Sequence, residues 1–112
     1  MMSSTKVEYK DRIEWHNEKG ERHREDGPAV EWYDGTKAWY LNGQLHREND
    51  PAVEYPSGDK FWFLYGKYHR ENGPAVEWVD GYKSWYLNNK EYSKEQWEKE
   101  VMRIKLKRLS EL

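Results

Sequence analysis

A 23-residue period constrains this chain more than any other feature. His23-Arg24, His46-Arg47 and His69-Arg70 recur at that interval, as do Gly35, Gly58 and Gly81, and Trp39, Trp62 and Trp85. Pro-Ala-Val-Glu does the same from Pro28, Pro51 and Pro74, and a partial copy starts at Val7-Glu8-Tyr9, 23 residues before Val30-Glu31-Trp32. Three full units and one truncated unit are present. A chain built this way buries apolar surface by stacking neighbouring units, because no single unit can offset its own ordering entropy.

Each unit reads as two short strands separated by turn signals. In the first full unit Ala29 to Tyr33 alternates in character, Asp34-Gly35 is a hairpin turn, and Lys37 to Leu41 is aromatic. Asn42-Gly43 supplies a second turn of the type that needs positive φ. If Asp34-Gly35 is a two-residue loop, Val30 faces Trp39, Val53 faces Trp62 and Val76 faces Trp85. If Asn42-Gly43 is one as well, Trp39 faces His46, Trp62 faces His69 and Trp85 faces Tyr92. In the first unit Glu18-Lys19-Gly20 reads as a three-residue loop with glycine at its left-handed position. The expectation is a mainly β chain: an antiparallel meander of tandem hairpins forming a single twisted sheet of about seven or eight strands.

After Tyr92 the period gives way to helical spacing. Ser93-Lys94-Glu95-Gln96 is a capping box, and the helix it opens is expected from about Lys94 to near the C-terminus. Trp97, Val101 and Ile104 form one stripe, and Met102, Leu106 and Leu109 a second beside it. The predicted organisation is one domain over residues 1–112, with a hairpin array at 5–92 closed by a capping helix at 93–112.

Composition bounds the partners. Apolar residues make up 36% of the chain, and seven Trp and nine Tyr carry much of that load. The 19 basic and 21 acidic residues leave a net charge of −2, so no global field attracts nucleic acid or anionic lipid. The absence of cysteine rules out disulfides and thiolate metal sites. No apolar signal segment or span of membrane length is visible, and the expected location is the cytoplasm.

Trp39-Tyr40-Leu41-Asn42-Gly43, then His46-Arg47 and Pro51-Ala52-Val53, with counterparts one period away, resemble MORN repeats, in particular the variant repeats of phage, giant-virus and bacterial proteins. The resemblance covers about Val7 to Tyr92. Asp50 stands where the other copies have glycine, Asn89 replaces the second turn glycine, and Tyr92 replaces the last His; Asp50 and Asn89 both tolerate positive φ. The resemblance implies a hairpin array used for contacts with proteins or lipids, in a phage- or virus-type protein that engages a host factor in the host cytoplasm. It implies no fixed catalytic set.

The histidine column does not make a metal site. Equivalent strands lie two spacings apart, roughly 9.6 Å, while ligands of one zinc ion sit about 2.0–2.1 Å from it; the rings of His23, His46 and His69 are expected to pack on Trp15, Trp39 and Trp62. The same register lines up Glu31, Ala38 and Arg47, and again Glu54, Phe61 and Arg70, as cross-strand ion pairs. An anion-binding Arg ladder is the functional alternative, weakened by Glu25, Asp26, Glu48 and Glu71 beside each Arg. Lys99, Arg103, Lys105, Lys107 and Arg108 could form an RNA or membrane patch, diluted by Glu95, Glu98 and Glu100.

No Gly-rich phosphate loop, zinc motif or nucleophile elbow appears. The expectation is a non-enzymatic protein-interaction module without cofactor or metal. The alternative is a nucleic-acid- or lipid-surface binder using the Arg column and the basic helix. One face is expected to carry the Val/Trp stripe, buried by the helix. The other would carry Tyr33, Tyr40, Phe61, Phe63, Tyr68 and Tyr86 alongside Arg47 and Arg70, the composition enriched at interface hot spots for a protein partner or a homodimer.

Overall fold

Alternating short apolar runs and tight turns give thirteen strands and one helix among the described residues. The computed structural model describes residues 4–112. The strands are β1 Thr5–Glu8, β2 Arg12–His16, β3 Val30–Trp32, β4 Lys37–Ala38, β5 Tyr40–Leu41, β6 Gln44–Leu45 and β7 Val53–Glu54. They continue with β8 Lys60–Phe61, β9 Phe63–Leu64, β10 Lys67–Tyr68, β11 Val76–Glu77, β12 Lys83–Leu87 and β13 Lys90–Tyr92, followed by α1 Lys94–Ser110. Nine of them form an antiparallel meander in the order β1-β2-β3-β4-β7-β8-β11-β12-β13, and β5-β6 and β9-β10 form two further ladders. The chain is thus mainly β, as its period requires, and only 18 Å thick in its shortest dimension. Such a slab has room for one layer of side chains on each side of the sheet.

The two kinds of turn set the register differently. The Asn42-Gly43 loop has two residues, pairing Tyr40 with Leu45 and Leu41 with Gln44, and positive φ falls on both Asn42 and Gly43. His46 N–H accordingly donates to Trp39 O, and Trp85 pairs with Tyr92, as expected. The Asp-Gly turns are longer. Trp32 N–H donates to Thr36 O, Gly35 N–H donates to Trp32 O, and Gly35 alone takes positive φ, so Tyr33-Asp34-Gly35 is a three-residue loop. The Asp34 carboxylate accepts from Thr36 N–H at 2.9 Å and locks the turn.

That extra residue overturns the Val–Trp pairing. Val30 pairs with Ala38, Val53 with Phe61 and Val76 with Ser84. A slip of one residue reverses the faces of a strand, so the valines share a side with the Tyr and Phe residues. Trp39, Trp62 and Trp85 lie on the other side with the histidines. Asn89 does take positive φ, but Asp50 does not; its neighbour Asn49 does instead. Glycine at positions 27 and 73 serves space rather than φ, since a Cβ there would come within 2.9 Å of the Arg24 or Arg70 Cζ.

The helix begins as its capping box dictates: Ser93 Oγ accepts from Gln96 N–H and the Gln96 side chain accepts from Ser93 N–H. Trp97 and Val101 bury against Leu87, with Trp85, Tyr92 and Ile104 around them. The second stripe stays out of the core, with Met102, Leu106 and Leu109 all more than half exposed. No described helix is long and apolar enough to cross a membrane.

Candidate interaction surfaces

The side of the sheet bearing Trp39, Trp62 and Trp85 is held by a device repeated in each unit. The guanidiniums of Arg24, Arg47 and Arg70 stack over Trp15, Trp39 and Trp62 at 3.8, 3.7 and 3.8 Å from the ring centroids. Each also donates to the carbonyl of the proline four residues on, Pro28, Pro51 or Pro74, at 3.0–3.2 Å. Arg24 reaches Glu31, Arg47 reaches Glu54, and Arg70 reaches Glu77. The sequence-predicted alignment of Glu31 with Arg47 and of Glu54 with Arg70 is therefore shifted by one unit. Every cation of the column is already paired and stacked.

The histidines tie one unit to the next. Nδ1 of His23, His46 and His69 accepts from the backbone N–H of Asn42, Tyr65 and Asn88, at 2.9, 2.9 and 3.0 Å. Each of those three donors opens a positive-φ turn nineteen residues downstream. Acceptance at Nδ1 places the ring proton on Nε2, and in His69 that nitrogen lies 2.9 Å from Glu71 Oε2. It is Arg rather than His that covers Trp15, Trp39 and Trp62. No described group of three His, Asp or Glu residues has the geometry to hold a metal ion.

The opposite side changes character along its length. At the N-terminal end buried Glu14 receives Arg12 Nε at 2.6 Å, Arg22 Nη2 at 3.0 Å and His16 Nε2 at 2.8 Å, and Arg22 also donates to the Tyr40 hydroxyl. Burial alone would raise the Glu14 carboxyl, but the bonds from His16, Arg12 and Arg22 outweigh it and hold its pKa at about 2. This cluster was not foreseen. Its signal was a charged residue, Glu14, in the column that carries Ala38, Phe61 and Ser84 in later units.

In the middle of that side Ala38, Leu45 and Val53 form the floor of an open trough of about 350 Å³, walled by Trp32, Tyr40 and Tyr55. Beyond it the floor fills with rings. Phe63 and Tyr68 lie 4.2 Å apart between centroids, Tyr68 and Tyr86 5.0 Å, Phe61 and Tyr68 6.5 Å, and Phe61 meets Tyr55 and Trp78 edge-on. No family model, curated protein or solved structure matches the chain.

The geometry of the two sides divides the sequence-predicted set. Phe61, Phe63, Tyr68 and Tyr86 come together in one ladder, and Tyr40 stands at the trough beside it. Tyr33 projects from the first loop and is exposed. Arg47 and Arg70 lie across the sheet on the tryptophan side and do not join the aromatics. The physical reason is the bend after each histidine, where the chain leaves the ladder and strand alternation lapses, letting consecutive His and Arg both serve the tryptophan side. The helix packs on that side too, through Trp85 and Leu87. Trp32, Tyr55 and Trp78, missed in the sequence-predicted set, extend the open aromatic side by alternation from Val30, Val53 and Val76.

Proposed function

We propose that the chain is a non-enzymatic protein-interaction module that engages its partner through the Tyr/Phe/Trp side of the sheet. The observation that carries this reading is a contiguous aromatic ladder, in which Phe61 meets Tyr55, Trp78 and Tyr68, and Tyr68 meets Phe63 and Tyr86, on the side opposite the capping helix. Large rings with hydroxyl and indole handles give contact area at low entropic cost, and the trough beside them offers a recess for a partner side chain. The likeness of the repeat to MORN-type arrays supports the same reading, and with it a phage- or virus-type protein acting on a host factor in the host cytoplasm. The alternative of nucleic-acid or lipid binding loses its main support, because the Arg column is occupied internally. The test replaces Tyr40, Phe63 and Tyr86 singly by Ser and measures folding alongside capture of partners from a host-like lysate. Capture lost with folding intact is the expected result. Unfolding with each change would make this side a structural layer and end the proposal.

A further inference from the structure

The tryptophan side holds quasi-equivalent slots, one of which is filled by the chain itself. In the last unit the slot lies between the loop at Arg70–Asn72 and the strand carrying Trp85 and Leu87, and Trp97 of α1 fills it. The indole Nε1–H donates to Arg70 O at 3.0 Å, and Arg108 closes the far end on the Glu71 carboxylate at 2.6 and 2.8 Å. One period back, the same positions are Arg47, Glu48 and Asn49 on the loop, with Leu64 on β9, Trp62 just before it and His69 just after β10. These residues, with Arg70, Glu71 and Asn72 on the other rim, line an open cavity of about 220 Å³. Leu87 is buried under α1, while its counterpart Leu64 is only partly covered. The Trp62 Nε1–H, buried in the wall, has no partner among the described residues.

We infer that this middle slot docks a partner α-helix that presents a tryptophan and, eleven residues further on, an arginine. The filled slot specifies this occupant. A tryptophan would take the place that Trp97 takes against Leu87, with Arg47 O as the counterpart of Arg70 O. An arginine would meet exposed Glu48 as Arg108 meets Glu71. Spacing favours the arrangement: one unit advances the sheet by two strands, roughly 9.6 Å, and helices pack side by side at about 8–10 Å. A helix in the middle slot would therefore lie next to α1, whose Met102 borders the Glu71–Asn72 loop between the two slots. The exposed row Met102, Leu106 and Leu109 then gains a partner. This site is on the opposite side from the aromatic ladder and stands or falls separately from it.

The probe is a fluorescent peptide of residues 93–112, titrated onto the full chain. Saturable binding is expected, weakened about tenfold or more by Trp97→Ala in the peptide, as for loss of an anchoring aromatic. In the full chain, Leu64→Glu should abolish binding and the exposed Glu48→Arg should weaken it; peptide Arg108→Glu should restore affinity to Glu48→Arg. Leu64 methyl resonances should move on titration, while Phe63→Ser and Tyr86→Ser, which test the ladder, should leave binding unchanged. No saturable binding up to ~1 mM would overturn the inference. So would resonance shifts confined to Leu87, since the peptide would then merely replace α1. Concentration-dependent dimerisation abolished by Leu64→Glu would assign the slot to a second copy and overturn the assignment to a partner helix.

Discussion

Replacing Trp97 by Ala tests whether the helix is part of the fold or an appendage. A tryptophan removes about 150–250 Å² from water, which at ~25 cal/mol/Å² is about 4–6 kcal/mol, and measured Trp→Ala losses in cores run about 3–5 kcal/mol. Here Trp97 is 9% exposed and its indole N–H is bonded to Arg70 O. Trp97→Ala should therefore lower stability by about 3–5 kcal/mol, a large share of the ~5–15 kcal/mol typical of a domain. Trp97→Phe keeps most of the apolar contact and loses the hydrogen bond, and should cost only about 1 kcal/mol. Urea denaturation followed by far-UV circular dichroism and by tryptophan fluorescence measures both. In Trp97→Ala the helical signal should melt first, because α1 docks only at the end of the array. An unchanged midpoint for the Ala variant would refute the docking energetics. A Phe variant as damaged as the Ala variant would show that the single hydrogen bond, rather than burial, holds the helix.

Two other outcomes follow from the histidine ties and the paired carboxylates. His46→Ala leaves the Tyr65 turn N–H without its acceptor and should cost about 1–3 kcal/mol, with faster amide exchange at Tyr65 as the local readout. Acid should weaken the fold from both ends: Arg108 hydrogen bonds, opposed by burial and aided by His69, hold Glu71 at about 2, as the cluster holds Glu14. Because these folded-state values lie below the ordinary 4.5, their stabilisation is complete above that pH and is lost as pH falls through about 2. Urea midpoints should decline across that window, and Arg22→Met should flatten the part of the decline due to Glu14.

The fold was largely legible because its period repeats every signal. The helix start was legible from Ser93 and Gln96 alone, since a capping box satisfies its donors locally. The Asn42-Gly43 register was legible because both residues need positive φ, which only a two-residue loop demands of both. The Asp34-Gly35 register was not, because Asp-Gly suits two loops: both central residues of a two-residue turn, or the last two of a three-residue turn. Glu18-Lys19-Gly20 shows the second arrangement in this same chain, with Gly20 left-handed at the third place. Tyr33-Asp34-Gly35 follows it, and one misjudged residue moved every valine across the sheet.

The composition of the candidate site survived that error better than its arrangement did. Tyr40, Phe61, Phe63, Tyr68 and Tyr86 share a side because they relate to one another by the 23-residue period, by steps of two and through the second-turn register, none of which depends on the Asp-Gly loop. Arg47 and Arg70 were misplaced because they sit at bends, where alternation carries no information and the stacking of a guanidinium on the preceding tryptophan decides the direction. The helix slot was illegible for a different reason. A slot is defined by what fills it, and only with Trp97 seated against Leu87 does the partly covered Leu64 one period earlier read as the matching position in the array.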